Sequence, residues 1–231
     1  MKTLSIIIPT LNEEQTLAKT LECLAGQGEI VVVDGGSTDR TVELAQNYGA
    51  TVLSSLPGRG AQMNAGSCSS SGDILLFLHA DTLPPIGFRE LIKKTLKSPD
   101  VAMGAFALGI NTTEKKILAI AKAANLRSQL LHLPYGDQGF FMTRSRFDEI
   151  GGFPEIEIME DFVFVRRMKS LGKIVHRPEP VTTSSRRWEN LGCIKTTLIN
   201  QLIVGGYLLG FSPAKLSRMY KRLRGLRPNI S

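Results

Sequence analysis

Continuous apolar runs alternate with helix-like stretches through the first part of the chain. The stretch with Leu17, Leu21 and Leu24 has helical spacing. Four runs rich in β-branched and aliphatic residues occupy residues 3–10, 29–34, 51–55 and 73–79. Each run ends at proline, glycine or polar residues, which is typical of strands buried on both faces. The pattern predicts an α/β fold with a Rossmann-like, mostly parallel central sheet flanked by helices.

The second half of the chain has a less regular pattern. We predict further helices at residues 87–97, 114–131 and 161–171, and strands at 101–109 and 139–142. An apolar run follows at residues 191–210, interrupted by Asn200, Gln201 and the pair Gly205-Gly206. Because this run is too short and too polar for a membrane span, it predicts a packed or interfacial helix.

The end of the chain is strongly basic and has no acidic residue after Lys215. We therefore predict a core domain at residues 1–188 and a helical, basic C-terminal extension at 189–231. Three roles for the extension stay open: packing on the domain, a homodimer interface, or contact with an anionic membrane surface. Nucleic acid is not an expected partner.

The composition is that of a globular protein. A length of 231 residues with 42% hydrophobic residues fits one domain with an appendage. The cysteines Cys23, Cys68 and Cys193 have no metal or redox spacing and predict free thiols in a reducing compartment. The first apolar run is broken by Pro9 and lacks the features of a signal peptide. We therefore expect a cytoplasmic protein, or one held peripherally at the inner face of the membrane by its basic extension.

Polar groups follow four of the predicted strands. In an open parallel sheet, ligands bind outside the carboxyl ends of the strands, so these groups are expected to line one crevice. No G-x-G-x-x-G motif follows the first strand and no P-loop lysine motif is found, which argues against nicotinamide, flavin and P-loop enzymes. The acidic residues of the crevice suit ribose hydroxyls, a base edge and a metal. The four groups are residues 9–13, 34–39, 58–60 and 79–81.

The segments IIIPTLNEE, VVVDGGSTDRT, LHADT and MEDFVFVRRM occur in this order along the chain. Together they resemble the family 2 glycosyltransferases, which have the GT-A fold. GRGAQMNAG and GDQGFF are also similar to small bacterial members associated with radical-SAM and selenodomain proteins. The resemblance implies inverting transfer of a sugar from a nucleotide diphosphate donor, with UDP favoured, to an acceptor hydroxyl.

The resemblance also implies a donor site. Asp34 would touch the base or ribose, and Arg59 would meet a phosphate at the start of a helix. Other interpretations stay open: Asp34 as a turn former, Asp39 as a first-turn helix acid and Arg59 as a surface arginine. The expected donor-site residues are Pro9, Thr10, Glu13, Asp34, Gly36, Asp39, Arg59, Asn64, His79, Ala80 and Asp81.

The family's metal-binding Asp-x-Asp motif is incomplete in this chain, because His79 replaces the first acid and only Asp81 remains. Mg²⁺ and Mn²⁺ prefer oxygen ligands, and a donor diphosphate supplies several of them. We predict that Asp81, together with diphosphate and water, holds such a cation. His176 is a second candidate ligand, although a lone histidine is more often structural.

The pair Glu160-Asp161 matches the family's catalytic acid position. Direct displacement needs a base for the acceptor hydroxyl proton, and Asp161 is the expected base with Glu160 as its neighbour. Helix capping by either acid is the alternative. On the acceptor and diphosphate side we expect contacts from Asp137, Gln138, Arg187 and Trp188.

Two other classes of function remain as alternatives. A sugar-phosphate nucleotidyltransferase would have a glycine-rich loop with Arg and Lys after its first strand, which this chain lacks. A non-catalytic module that binds nucleotide sugars or anionic surfaces gains support from His79 and loses it from the retained Asp81 and Asp161. The acceptor is unknown; a lipid-linked acceptor fits residues 198–211 and the basic tail about as well as a homodimer does.

Overall fold

The computed structural model describes residues 2–186 and 192–225. Within these residues the strands are β1 Leu4–Thr10, β2 Glu29–Asp34, β3 Thr51–Ser54, β4 Ile74–Phe77, β5 Thr82–Leu83, β6 Val101–Asn111, β7 Phe140–Thr143 and β8 Lys173–Ser184. The helices are α1 Leu17–Leu24, α2 Thr41–Asn47, α3 Arg59–Ser69, α4 Phe88–Thr95, α5 Lys115–Leu131, α6 Arg144–Ile150, α7 Glu160–Met168, α8 Cys193–Leu208 and α9 Pro213–Leu223.

The strands form one mixed sheet in the order β3-β2-β1-β4-β7-β6-β8-β5. The neighbours from β3 to β4 are parallel, and so are β6 and β8. The pairs β4–β7, β6–β7 and β5–β8 are antiparallel. The prediction of an α/β fold with a mostly parallel sheet flanked by helices is therefore confirmed.

Alternate residues of the buried strands build a core on each face of the sheet. On one face Ile6 and Ile8 of β1 pack with the leucines of α1 and with α4. On the other face Ile7 packs with Met63 of α3 and with Phe164 of α7. Because both faces are covered, the strands have continuous apolar sequences, which is the pattern that made β1, β2 and β4 predictable.

Strand β8 was not predicted from the sequence. Its segment KIVHRPEPVTTS has two prolines and no continuous apolar run. The prolines fall where β8 shifts register against β6, between the pairs Ala105–His176 and Ala107–Pro180. Proline cannot donate to a strand ladder and is found at such irregularities. Helix α6 was also not predicted.

The C-terminal helices pack on the start of α7. Ile199 and Ile203 of α8 and Leu216 of α9 form a cluster with Met159 and Phe162. No helix within the described ranges is long and apolar enough to cross a membrane. The predicted domain boundary after residue 188 lies outside the described residues, so the division into two parts stays a prediction.

Candidate active site

A narrow pocket lies at the carboxyl ends of β1 and β4, where the sequence predicted a crevice. Its space of about 10 Å³ holds roughly one water. The polar side chains that line it are Arg59, His79, Glu160 and Asp161, beside Pro9. The structure thus brings together predicted residues from four distant segments of the chain.

Asp161 is in the first turn of α7, and its carboxylate is held by two backbone groups. The Gly136 N–H donates to Oδ2 at 3.0 Å, and the Phe162 N–H donates to Oδ1 at 2.7 Å. The N-terminus of α7 is also the positive end of its helix dipole. The Asp161 carboxylate is therefore a fixed acceptor of hydrogen bonds on the pocket wall.

Glu160 is buried, with 8% of its surface exposed, and has a different electrostatic environment. Burial raises its pKa to about 7, and the neighbouring Asp161 charge acts in the same direction. The guanidinium of Arg59 opposes these effects, but it is 3.9 Å away and half exposed. Glu160 therefore keeps its proton to a higher pH than an exposed glutamate does.

Asp81 lies just outside this pocket, between β4 and β5. Its Oδ1 accepts from the hydroxyls of Thr82 and Thr183, each at 3.2 Å. Its Oδ2 is 3.7 Å from Nη2 of Arg186, which also binds Oε2 of Glu13 at 2.6 Å. Arg186 thus links the loop after β1 to the acid predicted to bind the metal. Ala80 is buried, and its carbonyl accepts from Thr20.

The residues around Asp81 fit a metal held mainly by substrate. No group of three or more His, Cys, Asp or Glu in the described ranges is arranged to hold a cation. Mg²⁺ in nucleotide enzymes is commonly held by one or two carboxylates plus substrate phosphates. One carboxylate with adjacent hydroxyl oxygens matches that donor set.

His176 does not share a site with Asp81, which corrects the prediction of a common metal site. His176 pairs with Ala105 of β6, whereas Thr183 beside Asp81 pairs with Ile110. These partners are five residues apart, or roughly 16 Å along a strand. Burial lowers the pKa of His176, and its Nε2 is 3.2 Å from the side-chain amide of Gln138.

Gln138 is fully buried and cannot meet an acceptor sugar, contrary to prediction. Its Oε1 accepts from the Ser128 hydroxyl at 2.7 Å and from the Tyr135 N–H at 3.0 Å. Its Nε2 donates to the Phe106 carbonyl at 3.1 Å. The Gln138 amide therefore stabilises the turn Gly136–Gln138. In this way it positions the Gly136 N–H that binds the Asp161 carboxylate. Asp137 in the same turn is partly exposed.

The Asp34 carboxylate organises the loop after β2. It is buried, and its Oδ2 accepts from the backbone N–H groups of Gly36 and Ser37, both at 2.9 Å. Gly36 has a φ of 97°, which favours glycine. Thr10 donates weakly to Asp34 at 3.4 Å. Gln62, which was not predicted, fixes the same corner by donating to the carbonyls of Thr10 and Val33 at 2.9 and 2.8 Å.

Asp39 and Asn64 connect loops to helices. Asp39 accepts from the Thr41 N–H at 3.0 Å and from the Glu14 N–H at 3.2 Å, which supports the helix-acid interpretation. Asn64 donates to the Phe153 carbonyl at 2.9 Å and accepts from its N–H at 2.8 Å. The side-chain nitrogen and oxygen of Asn64 are thus both hydrogen-bonded to the Phe153 backbone. This corrects the prediction that Asn64 binds the donor.

Two predicted residues, Arg187 and Trp188, lie outside the described residues. Thr183 and Arg186 were not predicted as site residues. Arg186 stands directly before the predicted residues Arg187 and Trp188, and this adjacency was the available signal. Thr183 had no such signal, because its relation to Asp81 depends on the pairing of β5 with β8.

The sheet, with helices on both faces, has the GT-A fold. The chain belongs to glycosyl transferase family 2, whose model matches residues 5–151. Glucosyl-3-phosphoglycerate synthase from Mycolicibacterium smegmatis is 34% identical over 98 residues, covering 36% of this chain and 32% of that protein. The chain therefore matches only about a third of that curated relative.

Solved structures share the fold at low identity. The synthase from M. tuberculosis, in complex with Mn²⁺, UDP-glucose and phosphoglyceric acid, has a TM-score of 0.60 at 19% identity, covering 99% of this chain and 81% of that one. Residues 1–349 of S. aureus TarS, in complex with UDP-GlcNAc, have a TM-score of 0.62 at 18% identity, covering 80% and 58%.

Proposed function

We propose that the protein is an inverting glycosyltransferase that moves a sugar from a UDP-sugar to an acceptor hydroxyl. The observation that carries the proposal is the backbone-held carboxylate of Asp161, which faces the same pocket as Arg59 and His79. His79 is two residues before Asp81, so the predicted base lies near the predicted diphosphate site. Complexes of the M. tuberculosis relative with UDP-glucose support the choice of donor.

In this proposal the loops after β1 and β2 hold the nucleotide. Asp34 keeps the second loop in shape, and Glu13 is held to Asp81 through Arg186. Arg59 lies at the start of α3, where the helix N-terminus and its guanidinium both favour an anion. The diphosphate would therefore lie between Arg59 and Asp81.

Asp161 acts as the general base. It accepts the proton of the acceptor hydroxyl as the hydroxyl oxygen bonds to the anomeric carbon and the nucleotide diphosphate departs from the opposite face. A single displacement of this kind inverts the configuration. When Glu160 is protonated, no second negative charge lies beside the Asp161 carboxylate.

Asp81 would hold Mg²⁺ or Mn²⁺ together with the donor diphosphate. The bound cation would neutralise charge that develops on the leaving group. The complexes of the M. tuberculosis relative with Mn²⁺ support this assignment.

The cellular setting is also part of the proposal. We place residues 1–188 in the catalytic domain and 189–231 in the basic extension, in a cytoplasmic protein held peripherally at the inner face of the membrane. The small bacterial subgroup associated with radical-SAM and selenodomain proteins is the proposed subfamily. A lipid-linked acceptor is favoured by the largely apolar helix α8 and the basic helix α9.

The test measures the thermal stability of the protein with UDP, GDP or dTDP, each with and without MnCl₂. We expect UDP with Mn²⁺ to stabilise the protein by binding only the native state. If no nucleotide raises the melting temperature, the transferase proposal fails and the anionic-surface module is favoured. Release of pyrophosphate from UTP and a sugar 1-phosphate would instead favour the nucleotidyltransferase.

Two variants separate the assigned roles. Asp161→Asn should abolish transfer while UDP with Mn²⁺ still stabilises the protein. Asp81→Asn should remove the contribution of Mn²⁺ to that stabilisation. Asp148→Asn, at an exposed position of α6, is the matched control. Loss of UDP binding in Asp161→Asn would make Asp161 a donor residue, and an unchanged Mn²⁺ response in Asp81→Asn would reject the metal assignment.

A further inference from the structure

A second cavity, of about 360 Å³, lies between α5, α7 and α8. Three cationic side chains line it, and none of its described lining residues is a carboxylate. The cations are Arg127, Arg166 and Lys169. Much of the remaining lining is apolar or aromatic: Leu131, Leu133, Tyr135, Phe162, Val204 and Leu208. A cavity of this size with cations beside apolar walls suits an anion attached to an apolar group.

The cavity adjoins the proposed acceptor side of the active site. Tyr135 and Phe162 line it, and they are the chain neighbours of Gly136 and Asp161. The bond from the Gly136 N–H to the Asp161 carboxylate lies on the wall of the catalytic pocket. The cavity and the catalytic pocket are therefore lined by adjacent residues at two places, Tyr135-Gly136 and Asp161-Phe162.

The three cations have no carboxylate partner within the described ranges. The guanidinium of Arg127 lies 3.5 Å from the centre of the Tyr135 ring, and its Nε is buried without a hydrogen-bond partner. Arg166 is exposed. Lys169 donates to the Leu131 carbonyl at 2.6 Å. An anion would gain charge-assisted hydrogen bonds here without breaking an existing ion pair.

The surface around the cavity is apolar and cationic. Helices α5, α8 and α9 carry four, one and four Lys or Arg residues and no Asp or Glu. In a homodimer formed through these helices, two positively charged surfaces would face and repel each other, so such a dimer is disfavoured. Exposed leucines on α5 and α8 include Leu126, Leu130, Leu131, Leu198, Leu202 and Leu208.

We propose that this cavity binds the phosphate of an acceptor in which a phosphate joins an apolar chain to a hydroxyl-bearing head. The phosphate contacts Arg127, Arg166 and Lys169, the chain lies on the leucines of α5 and α8, and the head reaches Asp161. This inference rests on the proposed function, because it assigns the acceptor of the same site.

The test measures binding of three probes by calorimetry, below the critical micelle concentration. Lauroyl lysophosphatidylglycerol has the chain, the phosphate and the hydroxyls; decyl maltoside lacks the phosphate, and glycerol 1-phosphate lacks the chain. We expect the lysophospholipid to bind at least tenfold more tightly than either of the others. Equal binding of glycerol 1-phosphate would indicate a soluble phosphate ligand, and equal binding of decyl maltoside a purely apolar site; either result overturns the proposal.

Matched variants locate the site. Arg166→Gln should weaken lysophospholipid binding about tenfold, whereas Arg167→Gln, an exposed neighbour on α7 outside the cavity lining, should not. Leu208→Asn should also weaken it, and Ile86→Asn, in the exposed loop before α4, should not. Equal effects within either pair would overturn the assignment.

UDP-dependent stabilisation is measured on the same samples. If UDP stabilises the protein but the lysophospholipid does not bind, only the acceptor assignment fails. If UDP has no effect, the proposed function itself fails, whatever the lysophospholipid does.

Discussion

Replacement of Glu160 by Gln tests whether a buried carboxyl with a raised pKa lies beside the proposed base. Burial and the Asp161 charge raise the pKa of Glu160 to about 7 from its ordinary value of 4.5. The native protein therefore keeps a proton that the unfolded chain releases. Its contribution to stability is fully present below pH 4.5 and is lost as the pH rises through about 7.

The magnitude follows from the difference in pKa. One pKa unit corresponds to about 1.4 kcal/mol, so the contribution lost between pH 5 and pH 8 is about 2–3 kcal/mol. Glutamine has nearly the same shape and does not titrate. The free energy of unfolding of Glu160→Gln, relative to that of the wild type, should therefore be about 2–3 kcal/mol more favourable at pH 8 than at pH 5.

The assay is urea unfolding of both proteins at pH 5 and pH 8, with Glu157→Gln as the control. Glu157 is exposed three residues earlier in the chain, so its replacement removes a charge of the same type without changing the pocket. The control should show nearly the same stability difference at both pH values. A difference for Glu160→Gln that does not change with pH would refute the buried-carboxyl interpretation.

Two further predictions concern residues that the structure reassigns or adds. Gln138→Met should lower the free energy of unfolding by about 2–3 kcal/mol, because the Tyr135 N–H and the Phe106 carbonyl lose their partner; an unchanged urea midpoint would contradict the buried role. Arg186→Gln should strengthen binding of Mn²⁺ alone severalfold, because a competing cation leaves Asp81. Calorimetric titration checks this, and Arg177→Gln, which breaks the Arg177–Glu179 pair, should have no effect.

The part of the fold that carries the predicted donor site could be predicted because each of its main strands is recognisable from its own short segment of sequence. Strands β1, β2 and β4 have continuous apolar sequences, and the polar residues that follow them lie at one edge of the sheet because these parallel strands end there. The pattern could not show that β8 is a strand, since Pro178 and Pro180 interrupt it where the ladder shifts.

Side-chain roles were less predictable than their positions. Gln138 and Asn64 are near the pocket, as expected, but their amides are used inside the protein. A short polar side chain has the same sequence signature whether it binds a ligand or satisfies buried backbone groups. The separation of His176 from Asp81 likewise depends on strand register, which spacing along the chain does not specify.

The order of the strands has a consequence for how the protein acquires its site during folding. The four neighbouring strands from β3 to β4 all lie within residues 4–77, so the loops proposed for the nucleotide can form from the first part of the chain to be synthesised. The hydroxyls of Thr82 and Thr183, which meet beside Asp81, are 101 residues apart. We therefore expect the nucleotide loops to form early, and the Asp81 centre to be completed only when β8 closes the sheet.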